Sequence, residues 1–159
     1  QWEFQIGPCV GIESGDHLTL ARYFLEKIAE THDAKIIYCS KPFPGVNGSG
    51  CHINFSTRSM REPDGILVID SCMPKLEKRI KEHMLVYGDG NEHRLTGTHE
   101  TSASNEFSYG VGTRTTSVRI GNQTAKDGYG YFEDRRPGAN IDPYAATAVL
   151  FETCCLVDI

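Results

Sequence analysis

Glu3, His52 and Glu133 are residues of the kinds that ligate divalent metal ions. Each falls in a segment whose alternation of apolar and polar residues predicts a strand, on the polar side of that strand. Two carboxylates and one imidazole suit Mg²⁺ or Mn²⁺ when the substrate carries phosphate groups. The spacing alone does not show that these side chains converge, and a single polar residue on a strand is more often only solvated or hydrogen-bonded.

Arginines are a second chemical signal, because the planar guanidinium group holds carboxylates and phosphates through paired hydrogen bonds. They are concentrated in the later part of an otherwise acidic chain, at Arg94, Arg114, Arg119, Arg135 and Arg136. This distribution fits an anionic substrate, although surface salt bridges would explain it nearly as well.

Two loops could bring such groups to a ligand. The loop Gly45-Val-Asn-Gly-Ser-Gly50 can place its backbone close to a bound molecule. Its glycine spacing and the strand predicted after it differ from Walker and dinucleotide-binding motifs, which require a helix next. A second stretch, from Tyr87 to Gly112, is rich in Gly, Asn, Ser and Thr. A long irregular segment of this kind is usually functional in a compact domain.

Hydrophobic periodicity predicts the elements that would position these residues. The strands are expected at Trp2–Ile6, Lys35–Cys39, Cys51–Thr57, Arg114–Ile120 and Tyr129–Arg135. The helices are expected from Ser14 or Asp16 to about Thr31, from about Met73 to Val86 with Pro74 in the first turn, and from the cap Asp142-Pro143 to about Leu156. A turn is expected around Lys126-Asp-Gly128, between the last two strands.

The composition is that of an ordinary soluble globular domain, with 159 residues, 16 Lys and Arg against 21 Asp and Glu, and a net charge of −5. The acidic balance argues against a nucleic-acid partner. No apolar segment approaches the roughly 20 residues of a membrane span. The 6 cysteines form no CxxC pair, so we expect a reduced cytosolic setting. The chain opens inside a predicted strand, so we expect it to be part of a longer protein.

A series of motifs, in one order along nearly the whole chain, closely resembles the eukaryotic-type glutamine synthetases. The motifs are Gln-Trp-Glu-Phe-Gln-Ile-Gly-Pro at 1–8, Asn-Gly-Ser-Gly-Cys-His at 47–52, Asn-Phe-Ser-Thr at 54–57, Arg-Leu-Thr-Gly at 94–97, His-Glu-Thr at 99–101 and Gly-Tyr-Phe-Glu-Asp-Arg-Arg-Pro at 130–137. The resemblance implies that residues 1–159 belong to the C-terminal catalytic domain of that family and begin inside it. The N-terminal β-grasp domain would then lie upstream of Gln1.

The resemblance implies an α+β fold, in which helices back a curved antiparallel sheet whose polar face carries the site. It also implies an ATP-dependent ligase of nitrogen metabolism that forms glutamine from glutamate and ammonia through a γ-glutamyl phosphate. Mg²⁺ or Mn²⁺ would be the cofactor and ATP the co-substrate. The family forms homo-oligomeric rings with sites between neighbouring subunits, and we expect a cytoplasmic or organellar location without nucleic-acid or membrane partners.

The resemblance also assigns roles residue by residue. The metal ligands would be Glu3, His52 and Glu133. The nucleotide-binding residues would be Glu3, Phe4, Gln5, Ile6, Gly7, Pro8, His52, Ile53, Asn54, Ser56, Arg114, Arg119, Tyr131, Phe132 and Glu133. The glutamate-binding residues would be Asn47, Gly48, Arg94, Arg114 and Arg135. The catalytic residues would be Arg114 and Arg119, which face the transferring phosphoryl group, and Glu100, a flap carboxylate that helps bind and deprotonate ammonium.

The chain departs from the family pattern in places. Val46 stands in a glycine loop that is one residue shorter than usual and lacks the family's Trp. Gly121-Asn122 follows the strand that ends at Ile120, and His93 stands where a second Arg often precedes Arg94. Three alternatives therefore stay open, namely a non-catalytic structural relative, a γ-glutamyl ligase that uses another amine, and a piece that is inert alone.

Overall fold

The computed structural model describes residues 2–158. Gln1, with which the first family motif begins, lies outside the described residues. Within them the helices are α1 (Glu13–Thr31), α2 (Gly65–Lys78), α3 (Ile80–Val86), α4 (Asn122–Asp127) and α5 (Pro143–Phe151). The strands are β1 (Ile53–Phe55), β2 (Tyr109–Val111), β3 (Val118–Ile120) and β4 (Phe132–Asp134). Short 3-10 turns lie at Ser59–Arg61 and Asn91–His93, and a π turn at Glu152–Leu156 continues α5.

The strands form one open sheet in the order β1-β4-β3-β2. Strand β4 is antiparallel to both of its neighbours, whereas β2 and β3 are parallel. The α+β class is therefore confirmed, but the expectation of a wholly antiparallel sheet is wrong at its β2 edge. Residues 112–117 carry the chain back to the beginning of β2 before β3 starts, so the two strands run in the same direction.

The sheet has one apolar and one polar face, because side chains alternate along each strand. On the apolar face, Val118, Ile120 and Phe132 are buried against α2 and α5. On the polar face, Asn54 of β1 pairs with Glu133 of β4, which pairs with Arg119 of β3. Paired residues point to the same side of a sheet, so the register builds a row of polar side chains across three strands.

Two predicted strands do not form. Residues 2–10 and 34–39 have no regular secondary structure. Trp2 is fully exposed and Phe4 is half exposed, and only Ile6 of the three alternating apolar side chains is partly buried. A strand requires a neighbour that pairs with its backbone. Within residues 2–158 neither segment lies in the sheet.

The other expected elements differ mainly at their ends, except that the single helix expected from about Met73 to Val86 is wrong: the structure has two helices there, α2 and α3, divided at Arg79. Helix α2 begins at Gly65, well before the expected start at Met73, and Pro74 therefore lies in its interior. A Cβ at Gly65 would lie only 2.1 Å from the carbonyl oxygen of Met60, so the helix begins where two backbone segments are in close contact. Hydrophobic periodicity in the sequence does not predict such a contact. The turn expected at 126–128 is the end of α4, where Gly128 adopts φ 78°.

The two other predicted helices are confirmed. Helix α1 ends at the expected Thr31, although it already begins at Glu13. The Asp142 side chain caps α5 by accepting hydrogen bonds from the backbone N–H groups of Tyr144 and Ala145. No helix in the described part of the chain is long and apolar enough to cross a bilayer.

Candidate functional site

Glu133 is the centre of the polar face. Its Oε1 lies 3.1 Å from Nδ1 of His52 and 3.1 Å from Nη1 of Arg135, and its Oε2 lies 2.5 Å from Nε of Arg119. The carboxylate is nearly buried, whereas His52 and Arg119 keep about a third of their side chains exposed. One carboxylate thus faces two guanidinium groups and an imidazole, which leaves an excess of positive charge around it.

Burial raises the pKa of the Glu133 carboxyl, but His52, Arg135 and Arg119 outweigh that effect and hold the pKa below its usual range. The hydrogen bonds are nevertheless incomplete. Among the described residues, Oε2 of Glu133 and Nε of Arg135 are buried without a hydrogen-bond partner, and the contact of Oε2 with Arg119 is an ion pair of poor hydrogen-bond geometry. Unsatisfied polar atoms on one face indicate a place for a ligand.

Arg94 lies beside this group and is almost fully buried. Its Nε donates to Oδ1 of Asn91 (2.9 Å), and its Nη2 donates to the carbonyl oxygens of residues 135, 136 and 137 (3.1, 2.6 and 3.1 Å). Burial and then the neighbouring charge of Arg135 lower the pKa of Arg94 to about 10. Two guanidinium groups that repel each other in this way form a locus for an anion.

The glycine loop packs directly on these side chains. A Cβ at Gly48 would lie 2.5 Å from Cγ of Arg94, and one at Gly50 would lie 2.6 Å from Nε2 of His52 and 3.2 Å from Nη1 of Arg94. The loop therefore brings its backbone close to the protein's own site residues. This close approach explains why glycines stand at both positions.

Glu100 contacts the glycine loop and the segment between β2 and β3. Nδ2 of Asn47 lies 3.4 Å from Oε2 of Glu100, and Nη1 of Arg114 lies 3.5 Å from Oε1. His99 and Glu100 both adopt left-handed backbone conformations, with φ 54° and 62°. Non-glycine residues pay a conformational cost in this region, and such strain is concentrated at ligand-binding and switch segments.

Other expected site residues are not brought together. Glu3 is exposed in a segment without regular structure, and within residues 2–158 no group of three His, Cys, Asp or Glu side chains could hold a metal ion. His52 and Glu133 fit a divalent cation in kind, as one imidazole and one carboxylate. Their direct contact and the two arginines on Glu133 show that only this part of the expected ligand set is assembled.

The residues expected at the nucleotide fall into several environments. Phe132 is fully buried and Ile53 packs on the same core, so only their backbones could reach a nucleotide. Asn54 and Tyr131 are exposed. The Ser56 hydroxyl accepts a hydrogen bond from Nη1 of Arg61 at 2.7 Å. Phe4, Gln5, Gly7 and Pro8 are exposed and Ile6 is partly buried, all in the segment before α1.

Arg136 does not belong to the anion locus. It pairs with Asp134 through two hydrogen bonds, from Nε to Oδ1 at 2.9 Å and from Nη2 to Oδ2 at 2.6 Å, and both side chains are buried. The guanidinium also stacks on Tyr87, with its central carbon 5.2 Å from the ring centre. The alternation of Glu-Asp-Arg-Arg at 133–136 could have indicated this division, because strand residues of opposite parity face opposite sides.

Comparison with known proteins adds independent evidence. The family model described as the glutamine synthetase catalytic domain matches residues 1–67. The chain is 58% identical to a glutamine synthetase of Colletotrichum gloeosporioides, over 96% of this chain and 43% of that protein. It is 55% identical to a glutamine synthetase of Debaryomyces hansenii, over 98% of this chain and 42% of that protein. It is 56% identical to a putative glutamine synthetase of Acanthamoeba polyphaga mimivirus, over 99% of this chain and 45% of that protein.

A solved structure of GmaS, in the apo form without ligand, shares the fold. The match has a TM-score of 0.70 at 22% identity and covers 89% of this chain and 34% of that one. The chain spans less than half the length of the curated relatives that it matches. The resemblance found in the motifs is therefore confirmed: the sequence is similar to glutamine synthetases over nearly its whole length, and the fold is shared with the GmaS structure.

Proposed function

We propose that residues 1–159 form part of the catalytic domain of an ATP-dependent ligase that joins glutamate and ammonia into glutamine. The family relationship supports the activity, and the observation that carries it is the pair Arg94 and Arg135 beside Glu133. The hydrogen bonds of Arg94 use Nε and Nη2, and no hydrogen bond in the described part of the chain uses its Nη1. Together with the unpaired Nε of Arg135, this provides two guanidinium donors for a substrate carboxylate.

The first step is a phosphoryl transfer. An oxygen of the glutamate γ-carboxylate attacks the γ-phosphorus of ATP, and the bond to ADP breaks with its electron pair on ADP. Arg119 and Arg114 suit this step, because they can neutralise the charge on the phosphoryl oxygens. Mg²⁺ or Mn²⁺, held by His52 and Glu133 with Glu3 as a further ligand, would supply additional charge neutralisation on the phosphates when bound.

The second step is attack by ammonia on the γ-carbon, with departure of phosphate and the electron pair of its C–O bond. Glu100 suits this step, because its carboxylate can attract ammonium and accept a proton from it. A γ-glutamyl phosphate would hydrolyse in contact with water, so a closing segment is required. The contacts of Glu100 with Asn47 and Arg114 are consistent with closure of the segment around Glu100 over the site.

We further propose that the complete protein resembles its family in assembly and location. It would be a cytoplasmic homo-oligomer that binds glutamate, ammonium and ATP, and neither nucleic acid nor membrane would be a partner. The excess of acidic side chains agrees with the absence of a nucleic-acid partner.

The test is phosphate release from ATP by the purified protein. Release should require glutamate and ammonium together, and Glu133→Ala should abolish it. Glu77→Ala, which removes an exposed carboxylate on α2, is the matched control and should leave release unchanged. Activity that survives Glu133→Ala would contradict the role of Glu133. A non-catalytic relative would bind no Mg-ATP in calorimetry, and a preferred amine other than ammonium would identify a different ligase.

A further inference from the structure

Asn91 lies directly behind Arg94 and is completely buried. We infer that Asn91 is a positioning residue, which sets the orientation of the Arg94 guanidinium and thereby the slot between Arg94 and Arg135. Neither the sequence motifs nor the expected site include Asn91. The identity of the slot's ligand as a glutamate carboxylate rests on the proposed function, whereas the positioning of Arg94 by Asn91 does not.

The hydrogen bonds of Asn91 determine which way its amide group points. Its Nδ2 donates to the carbonyl oxygens of Tyr87 (2.8 Å) and Arg136 (2.7 Å). Both N–H groups are therefore used, and the amide oxygen must face the other side, where it accepts from Nε of Arg94 at 2.9 Å. A flipped amide would place NH₂ against a guanidinium and a carbonyl oxygen against two carbonyl oxygens. The surroundings thus permit one orientation only.

The acceptors around Asn91 are themselves held in place. The carbonyl oxygen of Arg136 accepts hydrogen bonds from both Nδ2 of Asn91 and Nη2 of Arg94, the latter at 2.6 Å. The Arg136 side chain is fixed by Asp134 and by stacking on Tyr87. Asn91 therefore links the residue after α3, the segment after β4 and Arg94 into one rigid unit.

This arrangement leaves Arg94 little freedom. Its Nε and Nη2 are directed toward Asn91 and the carbonyl oxygens, so Nη1 must point toward Gly50. A Cβ at Gly138 would lie 2.9 Å from Oδ1 of Asn91, so Gly138 packs closely on the Asn91 amide and no side chain fits at position 138. An aspartate at position 91 would keep the acceptor for Arg94 but would place a buried carboxylate against two carbonyl oxygens.

The experiment compares Asn91→Ala and Asn91→Asp with the unsubstituted protein. The first readout is the solvent exchange of the Arg94 Nε–H by NMR, which requires no activity. In the unsubstituted protein this proton should exchange at least tenfold more slowly than the Nε–H of exposed Arg114, and Asn91→Ala should remove most of the difference. The matched control is Asn140→Ala, which also removes hydrogen bonds to Ser40 and to the Asp89 backbone but none to Arg94.

The second readout is L-glutamate binding by calorimetry, with KM and kcat where turnover is measurable. Asn91→Ala should weaken glutamate binding or raise its KM by roughly tenfold, because one charge-assisted contact is misplaced. ATP binding should change less than twofold, and Asn140→Ala should change neither. A variant that merely destabilised the fold would weaken the protection of the Arg94 Nε–H, the binding of glutamate and the binding of ATP together.

The outcomes separate the inference from the proposed function. If the Arg94 Nε–H of the unsubstituted protein exchanges as fast as that of Arg114, the positioning role is overturned, even if both Asn91 variants fail to fold. If that proton is protected and depends on Asn91 but glutamate does not bind, the positioning role stands and the proposed ligand is wrong. Normal glutamate binding by folded Asn91→Ala would also overturn the inference.

Discussion

Two acid–arginine pairs with identical spacing lie on β4 and the residues after it, and they face opposite sides of the sheet. Asp134 and Arg136 point into the core, where both are buried and joined by two hydrogen bonds, and Tyr87 donates a further one to Asp134 at 2.7 Å. Glu133 and Arg135 point to the polar face and share one contact at 3.1 Å. The same residue types therefore form a closed structural pair, in which both carboxylate oxygens are hydrogen-bonded although Nη1 of Arg136 has no partner among the described residues, and an open site pair.

The difference teaches that the number of partners, and not residue type, separates the two roles. The carboxylate of Asp134 is satisfied on both oxygens. That of Glu133 is shared among His52, Arg119 and Arg135 and still has one oxygen without a hydrogen bond. A buried pair that loses one partner leaves an uncompensated charge. An incomplete pair on an accessible face is instead suited to receive a ligand.

The largest effect should come from breaking the core pair. Asp134→Asn leaves the buried Arg136 without its counter-charge, and it should lower the free energy of unfolding by about 3–5 kcal/mol. Glu133→Gln, the equivalent change on the polar face, should cost clearly less, because two of the three groups that lose their counter-charge, His52 and Arg119, are about a third exposed and only Arg135 is largely buried. Urea unfolding of both variants at neutral pH measures the comparison. Equal losses would show that the two pairs do not differ as argued.

The polar face was largely predictable from the sequence, because alternation in Cys51–Thr57 and Tyr129–Arg135 placed His52, Asn54 and Glu133 on the polar sides of their strands. The partners of Glu133 were not predictable. Asn54 and Arg119 flank it only because β1 and β3 lie on either side of β4, and strand order depends on tertiary packing between distant segments. No local sequence pattern predicts which strands lie next to β4.

The other differences between the sequence-based predictions and the structure also depend on contacts between distant segments. The alternation in Trp2–Ile6 is real, but a strand also needs a partner, and the sheet of residues 2–158 offers none to it. Arg136 was grouped with the arginines that could bind an anion because residue type and position in the later part of the chain do not distinguish it from Arg135. Asn91 gave no signal at all, since an asparagine before Arg-Leu-Thr-Gly fits a loop as well as a buried bridge. Its role depends on three hydrogen bonds to residues brought near by folding.

On the polar face, Glu100→Ala should lower kcat/KM for ammonium by about 100-fold, the effect of losing a proton acceptor at the reacting nitrogen. Binding of ATP should change little, since the contacts of Glu100 are to Asn47 and Arg114 on exposed loops. Steady-state kinetics with varied ammonium, together with ATP calorimetry, test this difference. Equal losses in ammonium use and in ATP binding would contradict the flap role.

Removing the open guanidinium should affect binding more than folding. Arg135→Gln should weaken glutamate binding by roughly tenfold, the usual cost of one hydrogen bond to a charged group. The free energy of unfolding should change by less than about 1 kcal/mol, because Arg135→Gln removes only the contact of Nη1 with Glu133, and that carboxylate keeps His52 and Arg119 beside it. Arg58→Gln, on an exposed residue, is the control. A loss of stability that matches that of Asp134→Asn would place Arg135 with the structural pair.

The core pair should also make stability depend on pH through His83. Burial, and next the charge of Arg136, lower the pKa of His83 from 6.5 to about 3. Between these values the unfolded chain binds a proton that the folded chain does not, so stability is fully present above pH 6.5 and falls as the pH decreases toward 3. The expected slope is about 1.4 kcal/mol per pH unit.

His83→Gln retains groups that can hydrogen-bond Tyr87 and Thr153 but cannot titrate, so it isolates this contribution. Urea unfolding at pH values of about 6 and 5 should show a smaller loss of stability in the variant than in the unsubstituted protein. His32→Gln, on an exposed residue after α1, should retain the full loss. Identical pH dependence in all three proteins would mean that His83 already carries a proton in the fold. The core would then have to accommodate that charge beside Arg136, contrary to the closed pair described for Asp134 and Arg136.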